Sequence, residues 1–208
     1  MRVRRPAPFI LVALTVIAVS TAVSRRQARP YPALFAWLLD NPLSARLLGT
    51  QTTLDQIGLR PGQRVLEIGP GSGRLLIPAA ERVLPGGVAT GLEVQSGMIQ
   101  LLRQHATQAG ATNVRVVQGD ATAPHFPPES FDVVYLCAVL GEIADRAAVL
   151  QQCYAVLKPG GTLSITEGWP DPHYQPRDAV QSLAETTGFR AIGLYDGRGR
   201  YTATFVRP

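Results

Sequence analysis

From residue 64 onward, short apolar runs alternate with longer stretches whose apolar positions recur every three or four residues. The runs at 64–68 (RVLEI), 87–93 (GVATGLE), 114–118 (VRVVQ) and 131–136 (FDVVYL) are of strand length, and a fifth precedes Glu167. Helical spacing fills 74–83, 98–108 and 147–157 between them. Strand and helix in strict alternation predict a parallel sheet covered on both faces. Ahead of it, Tyr31, Leu34, Phe35, Leu38 and Leu39 fall at helical spacing with Trp37 among them, until Asn41-Pro42 breaks the pattern. A second pattern runs through Leu47, Leu48, Leu54 and Ile57 to Gly58. Residues 30–62 therefore read as a helical cover over one face of a domain spanning 63–208.

The start of the chain is different. Residues 7–24 (APFILVALTVIAVSTAVS) carry no charge and have three arginines on either side: Arg2, Arg4 and Arg5 before, Arg25, Arg26 and Arg29 after. Eighteen helical residues reach about 27 Å, close to the hydrocarbon thickness of a bilayer. The pattern over 1–29 predicts a membrane anchor with arginines at the headgroups. Small residues Ser20, Ala22 and Ser24 near its end also satisfy a cleaved-signal pattern.

Charge changes its meaning once it is located. The chain carries 20 Lys+Arg against 15 Asp+Glu, but six of those arginines are in the leader. Residues 30–208 are then nearly neutral, with no basic stripe for nucleic acid. Hydrophobic residues make up 46% of the chain, enough for a core, which excludes a disordered polymer. Cys137 and Cys153 give no metal-ligand spacing and no disulfide framework, so no metal is expected.

The strand at 64–68 runs into Gly69-Pro70-Gly71-Ser72-Gly73 with a helical pattern directly behind. Glycines here let backbone approach a ligand, and a helix start supplies unpaired N–H groups. A dinucleotide fingerprint begun at Gly69 would need glycine or alanine at 74, where this chain has Arg74. The second strand closes on Glu93, an acid able to pair with both hydroxyls of a ribose. The third ends in Gly119-Asp120-Ala121. Ligands of such sheets bind beyond the carboxyl ends of the strands, where Glu67, Glu93 and Asp120 all fall.

In order and spacing, Glu67-Ile68-Gly69-Pro70-Gly71-Ser72-Gly73, Glu93, Gly119-Asp120-Ala121, Phe131-Asp132-Val133-Val134 and Leu157-Lys158-Pro159-Gly160-Gly161 resemble the motifs of class I S-adenosylmethionine-dependent methyltransferases. Within that class the chain is similar to the small-molecule branch containing quinone-biosynthesis and phospholipid methyltransferases. The resemblance implies an α/β, Rossmann-like, seven-stranded and mostly parallel sheet with helices on both faces. Its last strand pair would be an antiparallel hairpin, here 189–195 and 201–206. It implies S-adenosyl-L-methionine as cofactor: Glu67, Gly69, Gly71 and Gly73 around the methionine portion, Glu93 on the ribose, Asp120 and Ala121 on the adenine, and Met98 packed on that ring.

Methyl transfer rests on positioning, and a base is needed only where the acceptor must lose a proton. Candidates follow the fourth and fifth strands: Glu142, Glu167 and His173. Cys137-Ala138-Val139-Leu140 has nothing of the Asn-Pro-Pro-Tyr run of amino-methylating relatives, which counts against nucleobases. Many small-molecule relatives place histidine near 141; Gly141 here removes that base and is expected to open space. Because the cofactor is made inside cells, the domain is expected to face the cytoplasm from a membrane anchor. A small lipophilic acceptor fits that placement: a quinone precursor, a phospholipid or a hydrophobic thiol. The alternatives are a non-catalytic S-adenosylmethionine-binding protein and a nucleotide-dependent oxidoreductase.

Overall fold

The computed structural model describes residues 49–208 apart from 124, 169, 170 and 198. The arginine-flanked leader and the first part of the helical cover lie outside the described residues. Among the described residues no helix is long and apolar enough to cross a membrane.

Helix α1 (Thr50–Ile57) starts at Gly49 and stops where Gly58 turns left-handed (φ 74°), its N–H bonding to the Leu54 carbonyl. Then follow β1 (Arg64–Ile68), α2 (Leu76–Arg82), β2 (Val88–Glu93), α3 (Ser96–Gln108), β3 (Val114–Gln118) and β4 (Phe131–Cys137). A short 3₁₀ turn (Leu140–Glu142) leads to α4 (Arg146–Val156), β5 (Leu157–Gly168), α5 (Arg177–Thr187), β6 (Arg190–Gly197) and β7 (Arg200–Val206). The seven strands lie in the order β3-β2-β1-β4-β5-β7-β6. β1 to β5 run parallel, and β7 is antiparallel to both β5 and β6, so the expected hairpin is present.

Alternation within each strand sorts the core into two layers. Val65, Val133 and Tyr135 point toward α1, α2 and α3, packing on Leu54, Leu76, Ala79 and Leu102. Leu66, Ile68, Val134, Leu136, Leu163 and Ile165 point the other way, toward α4 and α5. At the amino end of the sheet the Arg64 N–H donates to Asp132 Oδ2 at 2.7 Å. Lys158 Nζ meets Oδ1 of the same carboxylate at 2.6 Å.

One boundary differs from the periodic reading. The helical pattern at 74–83 becomes helix only at Leu76, because Gly73 sits at φ 99° and the chain turns through Leu75 first. The glycine turn is thereby longer, and Arg74 lies on the turn and not on the helix.

Helix α1 belongs to the core. Leu54 is fully buried, and Thr202 of β7 donates to Gln56 Oε1 at 2.7 Å. Leu54→Ala is expected to lower unfolding free energy by about 2–5 kcal/mol in urea titration, the range for a truncated buried leucine. A loss well under 1 kcal/mol would show that α1 is not integral to the fold.

Candidate cofactor and acceptor site

The carboxyl ends of β1, β2 and β4 meet around the glycine turn. Gly69, Gly71 and Gly73 have φ of 66°, 55° and 99°, a region that L side chains rarely adopt. A Cβ on Gly69 would stand 2.8 Å from the Val139 methyls, and one on Gly73 would stand 2.4 Å from Leu102 Cδ1. Gly71 has nothing within 4 Å, so the crest of the turn is open for a ligand to approach. The turn is fastened to β2. Gly69 N–H donates to the Leu92 carbonyl at 2.9 Å, and Gly71 N–H donates to Glu93 Oε2 at 3.1 Å. Oε1 of Glu93 accepts from the Gln95 N–H at 2.9 Å. Each carboxylate oxygen has more than one lone-pair site, so Glu93 keeps accepting capacity for a ligand hydroxyl. His105 Nδ1 lies 3.1 Å from the Ser72 carbonyl and holds the turn from the α3 side.

Glu67 is 3% exposed and faces the α1–α3 layer. Its Oε2 accepts from the Tyr135 hydroxyl at 3.0 Å, its residue partner across the β1–β4 register. Burial pushes this carboxyl up to about 8, against the opposing pull of the Tyr135 hydrogen bond and the Arg74 charge. Arg74 reaches across to Thr50 Oγ1 at 3.0 Å and to the Cys137 sulfur at 3.5 Å. Arg200, from the start of β7, bonds to Thr53 Oγ1 and approaches the same sulfur at 4.0 Å. Cys137 is half-buried, and burial raises its thiol pKa.

The adenine-side residues are less uniform. Met98 is buried, 5% exposed, in the first turn of α3. The exposed apolar side chain beside Glu93 is Val94, at 48%. Asp120 Oδ1 accepts from both the N–H (2.9 Å) and the hydroxyl (2.8 Å) of Thr122, and these two bonds lower its pKa. Ala121 packs, half-buried, against the α4–α5 layer. The His125 ring lies on Gly119, with Nε2 2.8 Å from the Asp120 carbonyl.

On the far side of the sheet the structure brings Glu142, Glu167 and His173 into one neighbourhood. Glu167 is 1% exposed at the end of β5; its Oε2 accepts from the Gln175 N–H at 3.2 Å. Its Oε1 has no hydrogen-bond partner among the described residues. Burial pushes Glu167 up to about 8, opposed by the Gln175 bond, while Asp171 and Glu142 add to the rise. Residues 171–175 form a strap over it. His173 N–H bonds to Asp171 Oδ1 (2.7 Å), Gln175 Nε2 to the His173 carbonyl (2.6 Å), and the Tyr201 hydroxyl to the Gln175 carbonyl (2.8 Å). The strap overturns the expectation that Gly141 opens space. A Cβ at 141 would fall 1.8 Å from the His173 carbonyl oxygen, so the backbone of the strap already fills that volume.

With this geometry in hand, comparison with known proteins says what the central stretch is similar to. Residues 65–161 match the family model described as a methyltransferase domain. The nocamycin O-methyltransferase of Saccharothrix syringae is 36% identical over 131 residues, 63% of this chain and 45% of that protein. The demethylmenaquinone methyltransferase of Listeria monocytogenes is 35% identical over 115 residues, 55% of this chain and 48% of that protein. The chain thus spans about half the length of the curated relatives it matches. A crystal structure of a SAM-dependent methyltransferase from Aquifex aeolicus shares the fold with a TM-score of 0.79 at 21% identity, covering 86% of this chain and 100% of that one.

Three features of the candidate site were missed in the sequence reading. Tyr135 sits inside an apolar run, and its meeting with Glu67 could have been found from parallel register alone. Val94 was one residue beyond the acid that was noticed. The strap depends on contacts between distant residues and has no local signature.

Two outcomes are expected. Gly141→Ala must displace the strap, so cleavage within 171–175 by limited proteolysis should become faster by several-fold while cofactor affinity holds; an unchanged rate would show that the strap does not rest on Gly141. Stability should also respond to pH. Glu67 and Glu167 are raised from an ordinary 4.5 to about 8, so the native state holds more protons than the unfolded chain between those values. Their contribution is full below about pH 4.5 and is lost as pH rises toward 8. Combining Glu67→Gln with Glu167→Gln should flatten the fall in melting temperature across that window.

Proposed function

We propose that the protein transfers a methyl group from S-adenosylmethionine to a small, lipophilic acceptor. The observation that carries this reading is the glycine turn clasped to Glu93, open at Gly71 and backed by the buried Glu67. Those residues fit the cofactor. Glu93 would take the ribose hydroxyls, the turn at Gly69, Gly71 and Gly73 would admit the methionine portion, and Glu67 would stand behind it. Asp120 and Ala121 would border the adenine, with Val94 as the apolar surface beside the ring and Met98 supporting from the layer beneath. Bound there, S-adenosylmethionine supplies an electrophilic methyl on a sulfonium.

The acceptor would be positioned at the ends of β4 and β5. Arg74, Cys137 and Arg200 form one wall, and Glu142, Glu167 and His173 lie behind the strap on the other. The named relatives support a small-molecule acceptor, since their titles specify nocamycin and demethylmenaquinone. The uncharged, arginine-flanked stretch at 7–24 supports membrane attachment, and the intracellular origin of the cofactor supports a cytoplasmic placement of the domain. A cofactor-binding protein without transfer is the second reading, favoured by the closure of the strap on Gly141.

Calorimetric titration with S-adenosylmethionine and, separately, NADH tests the cofactor; micromolar binding of the first alone is expected. Glu93→Ala removes both the ribose acceptor and the clasp on Gly71, and should weaken binding by about 1.5–3 kcal/mol. Unchanged affinity in the folded variant would overturn the Glu93 assignment. Release of S-adenosylhomocysteine on adding a lipid extract separates transfer from binding alone.

A further inference from the structure

We propose that Glu67 is a neutral carboxylic acid in the free protein and gives up its proton when S-adenosylmethionine binds. The inference rests on the methyltransferase reading above and deepens it, because it assigns Glu67 a change of state and not only a place.

The geometry carries it. Glu67 is 3% exposed, and the one hydrogen bond described to its carboxyl comes from the Tyr135 hydroxyl at 3.0 Å, a neutral donor. No cation lies within 4 Å of it among the described residues. A carboxylate buried with one neutral donor and no ion pair is costly, and such a group takes up a proton instead. The titratable and charged groups that face it are Tyr135 and Cys137 from β4, Arg74 from the glycine turn and Glu93 from β2. Tyr135 does not compete for the negative charge, since burial raises its own pKa well above 10. Arg74 draws the carboxyl toward ionisation, but its guanidinium is held on Thr50 and Cys137.

A cationic ligand entering over the open crest at Gly71, three residues past the end of β1, changes that balance. Positive charge near a buried acid favours the ionised form. The O–H bond of Glu67 breaks, its electron pair stays on the carboxylate, and the proton leaves to solvent. Binding and proton release are then one equilibrium, so cofactor affinity should rise with pH until Glu67 is already ionised in the free protein.

The experiment is calorimetry of the full chain with S-adenosylmethionine between pH 6.5 and 9, in phosphate and in Tris, whose different ionisation heats report proton transfer. Wild type minus Glu67→Gln cancels protons contributed by the cofactor itself. The expected difference is close to one proton per cofactor at pH 7, falling toward zero by about pH 9. Glu67→Gln, an isostere of the neutral acid, should keep its melting temperature at pH 8 and bind the cofactor at least tenfold more weakly. Equal proton counts in the two proteins would overturn the inference while leaving the cofactor assignment intact. A Glu67→Gln protein that fails to fold would also overturn it, because the amide replaces the neutral acid. The infrared difference spectrum of wild type on adding cofactor gives an independent reading: loss of a protonated-carboxyl band is expected, and its absence overturns the proposal. Failure of wild type to bind at all would instead sink the methyltransferase reading beneath it.

Discussion

The clasp between the Gly71 N–H and Glu93 is the constraint on which the rest of the site depends. A turn of three left-handed glycines has little intrinsic stability, since glycine loses the most conformational freedom on folding. Here the carboxylate of the neighbouring strand holds it, with Oε1 on the Gln95 N–H and Oε2 on the Gly71 N–H. The same requirement reaches back into β2. A Cβ at Gly91 would stand 2.8 Å from both the Pro70 ring and Leu76, so the strand must be bare where the turn folds over it. One acid therefore fixes the turn's shape and keeps accepting capacity for a ligand, so on the proposed reading cofactor recognition cannot be separated from local stability.

Topology decides what surrounds that turn. The parallel order places the ends of β1, β2 and β4 side by side, and the reversal at β7 brings the start of that strand to the same edge. Arg200 is consequently delivered next to Cys137, while Arg74 reaches the same sulfur from the glycine turn. Without the antiparallel hairpin the first residue of β7 would lie at the opposite end of the sheet. The hairpin thus contributes to the acceptor side as well as to the core.

Much of this was legible in the chain, for physical reasons that differ by element. Buried parallel strands are largely apolar, so β1, β2 and β4 announced themselves, while β3, at the sheet edge, leaves Arg115 and Gln118 exposed. The glycines and acids of the turn were equally visible, because backbone approach to a ligand restricts residue type and spacing together. The start of α2 was misplaced by two residues, since periodicity does not register that Gly73 is left-handed. Gly141 misled for a related reason. A missing side chain looks like space in a sequence, but here another backbone fills it, and only long-range packing reveals which. The contacts of Tyr135 with Glu67 and of Arg74 with Cys137 were not legible, because those partners lie 68 and 63 residues apart along the chain.

The two buried acids, finally, bear on how an acceptor would enter. Glu67 and Glu167 lie on opposite faces of the sheet, each pushed up by burial, yet their surroundings differ. Glu67 stands behind a turn that is open at Gly71, whereas Glu167 is sealed under a strap with its own hydrogen bonds to the Tyr201 hydroxyl and the Asp171 carboxylate. Among the described residues the strap's backbone fills the α4–α5 side at Gly141, and Thr50, Thr53, Arg74 and Arg200 stand on the α1 side. The chain enters the described domain at Gly49, beside Arg200. A substrate arriving on the α1 side would meet two cations, Arg74 and Arg200, both beside the Cys137 sulfur.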